Sequence, residues 1–234
     1  GARRKERGMS TYLITGATRG IGRAVVDELA DEDLILAARD GEALDTLCKS
    51  LRSARPMRAD LAQPEAIAAA VSEAGLPDSL DGIVHSAGIS HLGRIADLEP
   101  ADWTEQFAVN VTAAAELTRL VLPALRMARG TAVFVNSGSG RRVAGPGSGA
   151  YAATKFALVA VADALRLEEP QVRVTTVFPG RVATDLQRQL RAFEGGEYRA
   201  EDYLRPETVA KIIADALRLP ADATMVDVMV MPRQ

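Results

Sequence analysis

Short apolar segments alternate along this chain with longer segments of helical periodicity. The short ones are rich in Val, Ile and Leu and predict seven strands, at about 11–15, 34–38, around Met57, 82–85, 131–136, 172–178 and 225–230. Helices are predicted between them, at about 20–30, 41–53, from 64, 100–128, from before Tyr151 to 167, and 206–217. Strands separated by helices indicate right-handed βαβ units. The pattern therefore predicts a single α/β domain, a doubly wound parallel sheet of about seven strands with helices on both faces.

Two features modify this pattern. Pro123 lies inside the predicted helix 100–128 and predicts a kink or break, because proline lacks an N–H group and clashes with the preceding turn. Residues 1–8 are basic and precede Met9. We interpret 1–8 as a disordered leader or cloning remnant, and 9–234 as the domain.

Composition excludes several function classes. The 234 residues carry a net charge of −3, which gives no electrostatic reason to expect a nucleic-acid or anionic-membrane partner. No apolar run approaches the ~18 residues that span a bilayer, and no signal peptide is recognisable. One cysteine, Cys48, fits a reducing compartment, so we expect a cytoplasmic protein. With two histidines besides, we expect no metal site.

A glycine-rich segment joins the first predicted strand to the first helix. It reads Thr-Gly-Ala-Thr-Arg-Gly-Ile-Gly at 15–22, a G-x-x-x-G-x-G spacing. Glycines let the backbone turn tightly and approach a pyrophosphate, and the helix start offers free N–H groups to that anion. A turn without a ligand has the same composition, but the strand before it and the helix after it favour dinucleotide binding.

The end of the second strand bears on which dinucleotide is bound. NAD sites usually place an acid there for the ribose hydroxyls, whereas Ala38 stands there in this chain, followed by Arg39 and Asp40. Arg39 can bind a ribose 2′-phosphate, and Arg19 of the glycine loop adds a second positive charge. We therefore favour NADP(H) over NAD(H). The alternative is that Arg39 is solvated and Asp40 binds the ribose.

Tyr151 and Lys155 are spaced so that a helix places them one turn apart on one face. A positive charge beside a phenol favours the phenolate, so we expect Lys155 to lower the pKa of Tyr151. Such a pair suits proton exchange with an oxygen whose carbon gains or loses hydride.

The chain resembles the short-chain dehydrogenase/reductase family, from Met9 to about Pro232. The resemblance depends on ordered motifs: TGATRGIG at 15–22, HSAG at 85–88, Asn110 in a long helix, a serine at a strand end, YAATK at 151–155 and PGRVATD at 179–185. It implies a Rossmann-type fold and an oxidoreductase that is usually a homodimer or homotetramer.

Catalytic roles for four residues are implied by this resemblance. Tyr151 would exchange the proton, Lys155 would tune Tyr151 and hold the nicotinamide ribose, and Asn110 would position Lys155 through water. The fourth is a serine that orients the substrate oxygen. Ser137 fits the strand end and the family's S-x-x-G, with one residue more than usual before Tyr151, and Ser139 is the second choice.

The cofactor contacts implied by the glycine loop and the family motifs lie in several segments. They are Gly16, Thr18, Arg19, Gly20, Ile21, Gly22, Arg39, Asp60, Leu61, Ala87, Gly88, Tyr151, Lys155, Pro179, Gly180, Val182 and Thr184. Asp60 would contact the adenine amino group, or cap a turn. A Pro-Gly turn followed by a helix cap is the alternative for 179–184.

Three further features are the HSAG motif, which differs from the family pattern, the residue His91 and the polar segment 185–205. His85 and Ser86 replace two amides of the family motif N-N-A-G, and we expect His85 to be structural. His91 is expected in the following loop, solvated or at the rim of the substrate site. The polar segment 185–205, with Phe193, Tyr198 and Tyr203, suits a lid over the substrate or a plain surface loop.

The sequence therefore favours an NADP(H)-dependent oxidoreductase acting on a carbonyl or secondary alcohol, with no metal. One alternative is a catalytically silent NADPH sensor, which the intact Tyr151, Lys155, Asn110 and Ser137 set argues against. An epimerase or dehydratase is another, but those usually need a larger substrate domain. No motif identifies the substrate or the direction of the reaction.

Overall fold

The computed structural model describes residues 8–233, and residues 1–7 of the expected leader lie outside the described part. Within that part, seven strands form one parallel sheet in the order β3-β2-β1-β4-β5-β6-β7. The strands are β1 Thr11–Thr15, β2 Asp33–Ala38, β3 Ala54–Arg58, β4 Gly82–His85, β5 Thr131–Val135, β6 Arg173–Pro179 and β7 Asp227–Val230. The predicted doubly wound sheet is confirmed.

Eight α-helices connect these strands in the described residues. They are α1 Gly20–Glu28, α2 Gly41–Lys49, α3 Ile67–Ala74, α4 Pro100–Phe107, α5 Ala113–Ala128, α6 Gly149–Glu168, α7 Asp185–Phe193 and α8 Pro206–Leu217. A short 3₁₀ turn, Pro64–Ala66, precedes α3 and accounts for the helix start expected there. Helix α7 lies inside segment 185–205, for which the sequence predicted a lid or a surface loop and no helix.

Two apolar layers cover the sheet, one on each face. On one face, α1 and α8 supply Val25, Val26, Val209 and Ile213, which pack against strand side chains such as Ile14. The opposite face carries α3, α5 and α6, whose buried side chains include Ile67, Leu117, Val121 and Leu158. Alternate residues of a buried parallel strand serve the two layers, which explains the continuous apolar runs in the sequence.

The break in the predicted helix 100–128 lies at a different place from the one expected. A π-helical turn, Ala108–Thr112, separates α4 from α5, whereas Pro123 stays within α5. Pro123 is exposed, so water can satisfy the carbonyl that loses its helical partner. A break at Pro123 is therefore wrong, while a kink there stays a prediction, and the irregular turn falls instead around Asn110.

Within residues 8–233, one helical stretch, Pro100–Ala128, is by length and composition apolar enough to cross a membrane. A core helix of a soluble protein meets the same criterion. In this structure the stretch is interrupted by the π turn, and its side chains Leu117, Val121 and Leu125 are buried against the sheet. The packing therefore accounts for its hydrophobicity.

The strand order reverses between β1 and β4, which are neighbours in the sheet although they are far apart in sequence. From β1 the chain proceeds to β2 and β3 on one side, and from β4 it proceeds to β5, β6 and β7 on the other. In open α/β sheets, ligands bind outside the carboxyl ends of the strands at such a switch point. The glycine loop leaves β1 at this point, and the segment 86–88 leaves β4 beside it. The topology therefore assigns the candidate site to this edge.

Candidate active site

The glycine loop after β1 is shaped so that side chains would not fit. Gly16 has a φ of 65°, and a Cβ there would lie 3.0 Å from the Ala87 Cα atom. A Cβ on Gly22 would lie 2.3 Å from the Gly16 carbonyl oxygen. The absence of these side chains brings the loop backbone close to the start of α1. This is the kind of cradle that a pyrophosphate requires.

Thr184 faces the glycine loop from the other side. A Cβ on Gly20, which has a φ of 56°, would lie 3.4 Å from the Thr184 Cγ2 atom. Thr184 is also the N-cap residue of α7. The starts of α1 and α7 therefore approach each other, which brings the positive ends of two helix dipoles close together. That arrangement fits an anionic dinucleotide.

The other residues assigned to the cofactor from sequence lie along the same edge. Thr18 and Ile21 belong to the loop and the first turn of α1, and Leu61 follows β3. Ala87 and Gly88 follow β4, Pro179 ends β6, and Gly180 and Val182 come directly after it. The structure therefore brings the predicted set together at one edge of the sheet.

At the β2 end of this edge, the charged side chains differ in whether they already have a hydrogen-bond partner. The Asp40 carboxylate accepts a hydrogen bond from the Ala43 amide at 3.0 Å and caps α2. Arg19 and Arg39 are both exposed, and neither side chain forms an ion pair or hydrogen bond within the described residues. An open cleft of about 460 Å³ lies nearby, between the start of α1 and the length of α2 from Asp40 to Ser50. The capping role of Asp40 weakens the alternative in which Asp40 binds the ribose.

Asp60 has the turn-capping contact that the sequence offered as one of two roles. Its Oδ1 atom accepts a hydrogen bond from the Ala62 amide at 3.1 Å. This short-range bond fixes the segment after β3, where Leu61 also lies. An adenine contact from the other carboxylate oxygen remains a prediction.

Tyr151 and Lys155 share one face of α6 as predicted. The Lys155 Nζ atom lies 5.6 Å from the centre of the Tyr151 ring, and it donates a hydrogen bond to the Val135 carbonyl at 3.1 Å. Lys155 is only 4% exposed. A lysine amine has three protons, so two remain for further acceptors such as ribose hydroxyls.

Burial dominates the electrostatics of this pair. It lowers the pKa of Lys155 to about 8, because a buried ammonium loses its hydration. Burial also raises the pKa of Tyr151 to about 12, while a side-chain hydrogen bond to Ser137 acts in the opposite direction. The net lowering of the Tyr151 pKa that the sequence predicted is therefore wrong for this structure, because burial outweighs the effects that favour the phenolate. At neutral pH Tyr151 holds its proton and can act as an acid.

The two candidate serines have different environments. Ser137 directly follows β5, and its hydroxyl both interacts with Tyr151 and accepts a hydrogen bond from the Ser139 amide at 3.1 Å. Ser139 belongs to a 3₁₀ turn, Gly138–Gly140, and contributes its amide to this contact. The geometry therefore favours Ser137 over Ser139.

Asn110 is 2% exposed and lies in the π turn between α4 and α5. Its Oδ1 atom accepts from the Ile89 amide at 2.8 Å, and its Nδ2 atom donates to the Ile89 carbonyl at 2.9 Å and to Thr154 Oγ1 at 3.0 Å. A Cβ on Gly88 would lie 3.4 Å from Asn110 Oδ1 and 3.8 Å from Lys155 Nζ. Asn110 thus holds the segment after β4 beside Lys155. The predicted water between Asn110 and Lys155 remains a prediction.

Asn136 supports the site, although the sequence analysis did not assign it a role. Its Nδ2 atom donates to the Lys155 carbonyl at 3.0 Å, and its Oδ1 atom accepts from the Ser137 amide at 2.8 Å. A Cβ on Gly140 would lie 2.3 Å from that Oδ1 atom. Its place directly before Ser137 was the only available signal. Asn136 joins the strand that carries Ser137 to the helix that carries Tyr151.

The two histidines have structural environments of different kinds. His85 is buried, stacks on Phe134 with ring centres 4.7 Å apart, and contacts Thr118 Oγ1 at 2.9 Å. Burial lowers the pKa of His85 to about 3, so it is neutral. The Thr118 hydroxyl donates to the Ala114 carbonyl, so His85 Nε2 is the donor to Thr118. His91 pairs with Glu105 at 2.8 Å in the loop after β4.

One aromatic side chain of the predicted lid contacts the segment that precedes the Tyr151 helix. Phe193, at the end of α7, packs against Gly147, where a Cβ would lie 2.3 Å from its Cε1 atom. Gly147 has a φ of 82°, and its carbonyl accepts a hydrogen bond from the Gly93 amide at 3.0 Å. At its base, the lid is held by the ion pair between Arg181 and Glu194. Segment 185–205 therefore lies close to the segment that leads into Tyr151.

Comparisons with known proteins agree with this geometry. The family model described as short chain dehydrogenase matches residues 10–195. An uncharacterized short-chain type dehydrogenase/reductase of Sinorhizobium fredii is 34% identical over 227 residues, which cover 93% of this chain and 90% of the relative. An NADP-dependent 3-hydroxy acid dehydrogenase of Schizosaccharomyces pombe is 31% identical, with coverage of 95% and 92%.

Among solved structures, an alcohol dehydrogenase from the archaeon Thermococcus sibiricus, complexed with 5-hydroxy-NADP, has a similar fold. The TM-score is 0.84 at 26% sequence identity, and the match covers 95% of this chain and 96% of that one. The similarity therefore extends over nearly the whole chain, including the edge of the sheet that carries the candidate site.

Proposed function

The chain belongs to the short-chain dehydrogenase/reductase family, and on this premise we propose that it is an NADP(H)-dependent oxidoreductase acting on a carbonyl or secondary alcohol. One observation carries the proposal. Ser137, Tyr151 and Lys155 converge at the carboxyl edge of the sheet, next to the glycine cradle. A nucleotide sensor needs no such acid, and no observation in the structure favours that alternative.

The bound nicotinamide supplies or accepts the hydride. The protein provides orientation and charge stabilisation. In the reductive direction, negative charge develops on the carbonyl oxygen of the substrate. The hydroxyls of Ser137 and Tyr151 donate hydrogen bonds to that oxygen, and preorganised donors at a developing charge are often a large catalytic contribution. Tyr151 then gives its proton to the oxygen, and the alcohol forms.

Lys155 has two tasks in this proposal. Its amine holds the ribose hydroxyls next to the nicotinamide with the protons that Val135 does not use. Its positive charge stabilises the Tyr151 phenolate that remains after proton transfer. The pKa of about 8 leaves Lys155 largely protonated at neutral pH, so this charge is present. Asn110 and Asn136 position these groups through their bonds to Ile89, Thr154, Ser137 and the backbone of Lys155.

NADP(H) is favoured over NAD(H) by the residues that follow β2. Arg39 and Arg19 are free of other partners in the described residues, while Asp40 is engaged as a helix cap. A 2′-phosphate attracts exposed guanidinium groups and would repel a free carboxylate. The names of the similar yeast enzyme and of the archaeal complex, both of which refer to NADP, agree with this proposal.

We also propose a quaternary structure, a cellular location and a role for segment 185–205. The large apolar side chains of Met127 on α5 and of Phe156 and Leu167 on α6 are exposed, which suits pairing of these helices in a homodimer or homotetramer. The single cysteine, Cys48, is free, in agreement with a reducing, cytoplasmic location. Segment 185–205 is proposed to close over the substrate, with Phe193 as its contact to Gly147, just before the Tyr151 helix.

A substrate screen tests the proposal directly. Purified protein is mixed with NADPH or NADH and a panel of aldehydes, ketones and 3-oxo acids, and cofactor absorbance and product are followed together. We expect consumption with at least one carbonyl compound, faster with NADPH, and an alcohol as the product. Binding of NADPH without turnover of any compound would instead support the sensor.

A further inference from the structure

A third arginine lies close to the ribose end of the site but points into an ion pair. Arg58 is the last residue of β3, and its Cα pairs in register with that of Ala38, the residue before Arg39. Neighbouring strands lie about 4.8 Å apart, so Arg58 emerges next to the β2–α2 turn. A Cβ on Gly41, the first residue of α2, would lie 3.1 Å from the Arg58 Nε atom. Arg58 therefore lies against the turn that carries Arg39 and Asp40.

Asp45 of α2 holds the guanidinium of Arg58. The Arg58 Nη2 atom lies 2.8 Å from Asp45 Oδ1 and 2.6 Å from Oδ2. The side chains are 54% and 36% exposed. Exposed pairs of this kind add little net stability, because water screens them and two flexible side chains must be held in one geometry. Exchange of Asp45 for a stronger anion therefore costs the fold little.

We propose that Arg58 is a third determinant of NADP specificity, which moves from Asp45 to the ribose 2′-phosphate when NADP(H) binds. A phosphate with nearly two negative charges and three acceptor oxygens is a stronger partner for guanidinium than a solvated carboxylate. Asp45 then acts as a competitor that lowers NADP affinity. This inference depends on the proposed NADP(H) preference and assigns it a residue beyond Arg39 and Arg19.

A double-mutant cycle measured by nucleotide binding tests the inference without any substrate. Titration calorimetry with NADP⁺ and NAD⁺, and with 2′,5′-ADP and 5′-AMP, isolates the contribution of the 2′-phosphate. Arg58→Ala should weaken NADP⁺ and 2′,5′-ADP about fivefold to tenfold and change NAD⁺ and 5′-AMP less than twofold. Arg39→Ala, the reference variant, should weaken the phosphorylated nucleotides at least as much.

A variant of Asp45 tests whether this residue affects NADP⁺ affinity through Arg58 or only through its negative charge. Asp45→Asn should tighten NADP⁺ about twofold to threefold because it releases Arg58. That gain should vanish in Arg58→Ala/Asp45→Asn if it passes through Arg58. If it persists in the double variant, loss of a nearby negative charge explains it and the competitor role is overturned. Glu42→Gln, on the same helix, shows the size of such a general effect.

The failure of this inference can be told from the failure of the proposed function. If wild-type protein binds NAD⁺ as tightly as NADP⁺, the proposed preference is wrong and this inference falls with it. If wild-type protein prefers NADP⁺ and Arg58→Ala retains the full preference, only this inference is overturned. Equal weakening of all four nucleotides would assign Arg58 a structural role in joining β3 to α2. Circular dichroism spectra and melting temperatures of each variant identify that case.

Discussion

The two ends of the carboxyl edge of the sheet differ in how far their charged and polar side chains are exposed to solvent. At the β2–β3 end, Arg39 and the Arg58–Asp45 pair lie in solvent. At the β5–α6 end, Lys155 and Asn110 are almost completely buried, and each makes at least one defined hydrogen bond. Exposed charges cost little and can exchange partners, whereas buried ones must be satisfied.

This difference corresponds to two separate tasks. Selecting between two cofactors requires a difference in binding, which exposed arginines provide and single substitutions can change. Stabilising a developing charge requires donors that are already oriented, and the bonds of Asn136 and Asn110 supply that order. We therefore expect substitutions at the buried end to affect turnover, and those at the exposed end to affect mainly nucleotide affinity.

The largest expected effect is on turnover, and one variant at each end of the edge should show the contrast. Tyr151→Phe removes the proton donor and should lower kcat by about 10³-fold while NADPH affinity changes less than twofold. Arg39→Ala should do the reverse, with NADPH weakened about tenfold and kcat at saturating cofactor nearly unchanged. Steady-state kinetics with a substrate from the screen and fluorescence titration of NADPH measure both quantities. Turnover by Tyr151→Phe within tenfold of wild type would contradict the assignment.

A smaller effect is expected for the serine in the same buried set. Ser137→Ala removes one hydrogen bond to the developing oxyanion and should lower kcat about 10²-fold. Ser139→Ala is the matched control: it should lower kcat less than about threefold, because Ser139 contributes its amide and not its hydroxyl to this contact. Steady-state kinetics of the two variants, measured side by side, give the two kcat values. The opposite ranking would assign the substrate contact to Ser139.

The sequence predicts some features of the site better than others. Features set by neighbouring residues are predicted well, whereas those set by residues far apart in the sequence are not. The spacing of Tyr151 and Lys155 is local, and the strands Thr11–Thr15 and Gly82–His85 have the predicted bounds. The pKa directions depend on how much of the fold surrounds each side chain, which no local pattern encodes. The π turn around Asn110 was missed because periodicity shows helix but not its hydrogen-bond register. The partner of Asn110, Ile89, lies 21 residues away.

Helix α7 and Arg58 were missed for related reasons. Composition indicated that 185–205 is a polar lid or a surface loop, but nine helical residues follow Thr184, and the last of them, Phe193, contacts Gly147. Arg58 drew no attention because its strand was predicted only as a short one near Met57. Its proximity to Arg39 follows from the pairing of β2 with β3, which only the structure supplies.

The smallest of these effects concerns stability and is specific to the buried end. The pKa of Lys155 is about 8 in the folded protein, below the ordinary value of 10.5. Between these values the unfolded chain binds more protons than the folded one, so unfolding free energy rises with pH. Below pH 8 the full penalty of burying the charge is present, and it is relieved as pH rises towards 10.5. The gain between pH 7 and pH 10 should be on the order of 2 kcal/mol.

Lys155→Met isolates this contribution, because it keeps the length of the side chain without the charge. Urea unfolding of wild type and variant at several pH values should give curves that converge as pH rises, with the variant relatively more stable at pH 7. Lys211→Met, on the exposed face of α8, is the control and should leave the pH dependence unchanged. Tyr151 does not confuse the comparison, since its raised pKa acts only above pH 10. Parallel pH dependences of wild type and Lys155→Met would show that Lys155 is solvated, and the contrast between the two ends would then fail.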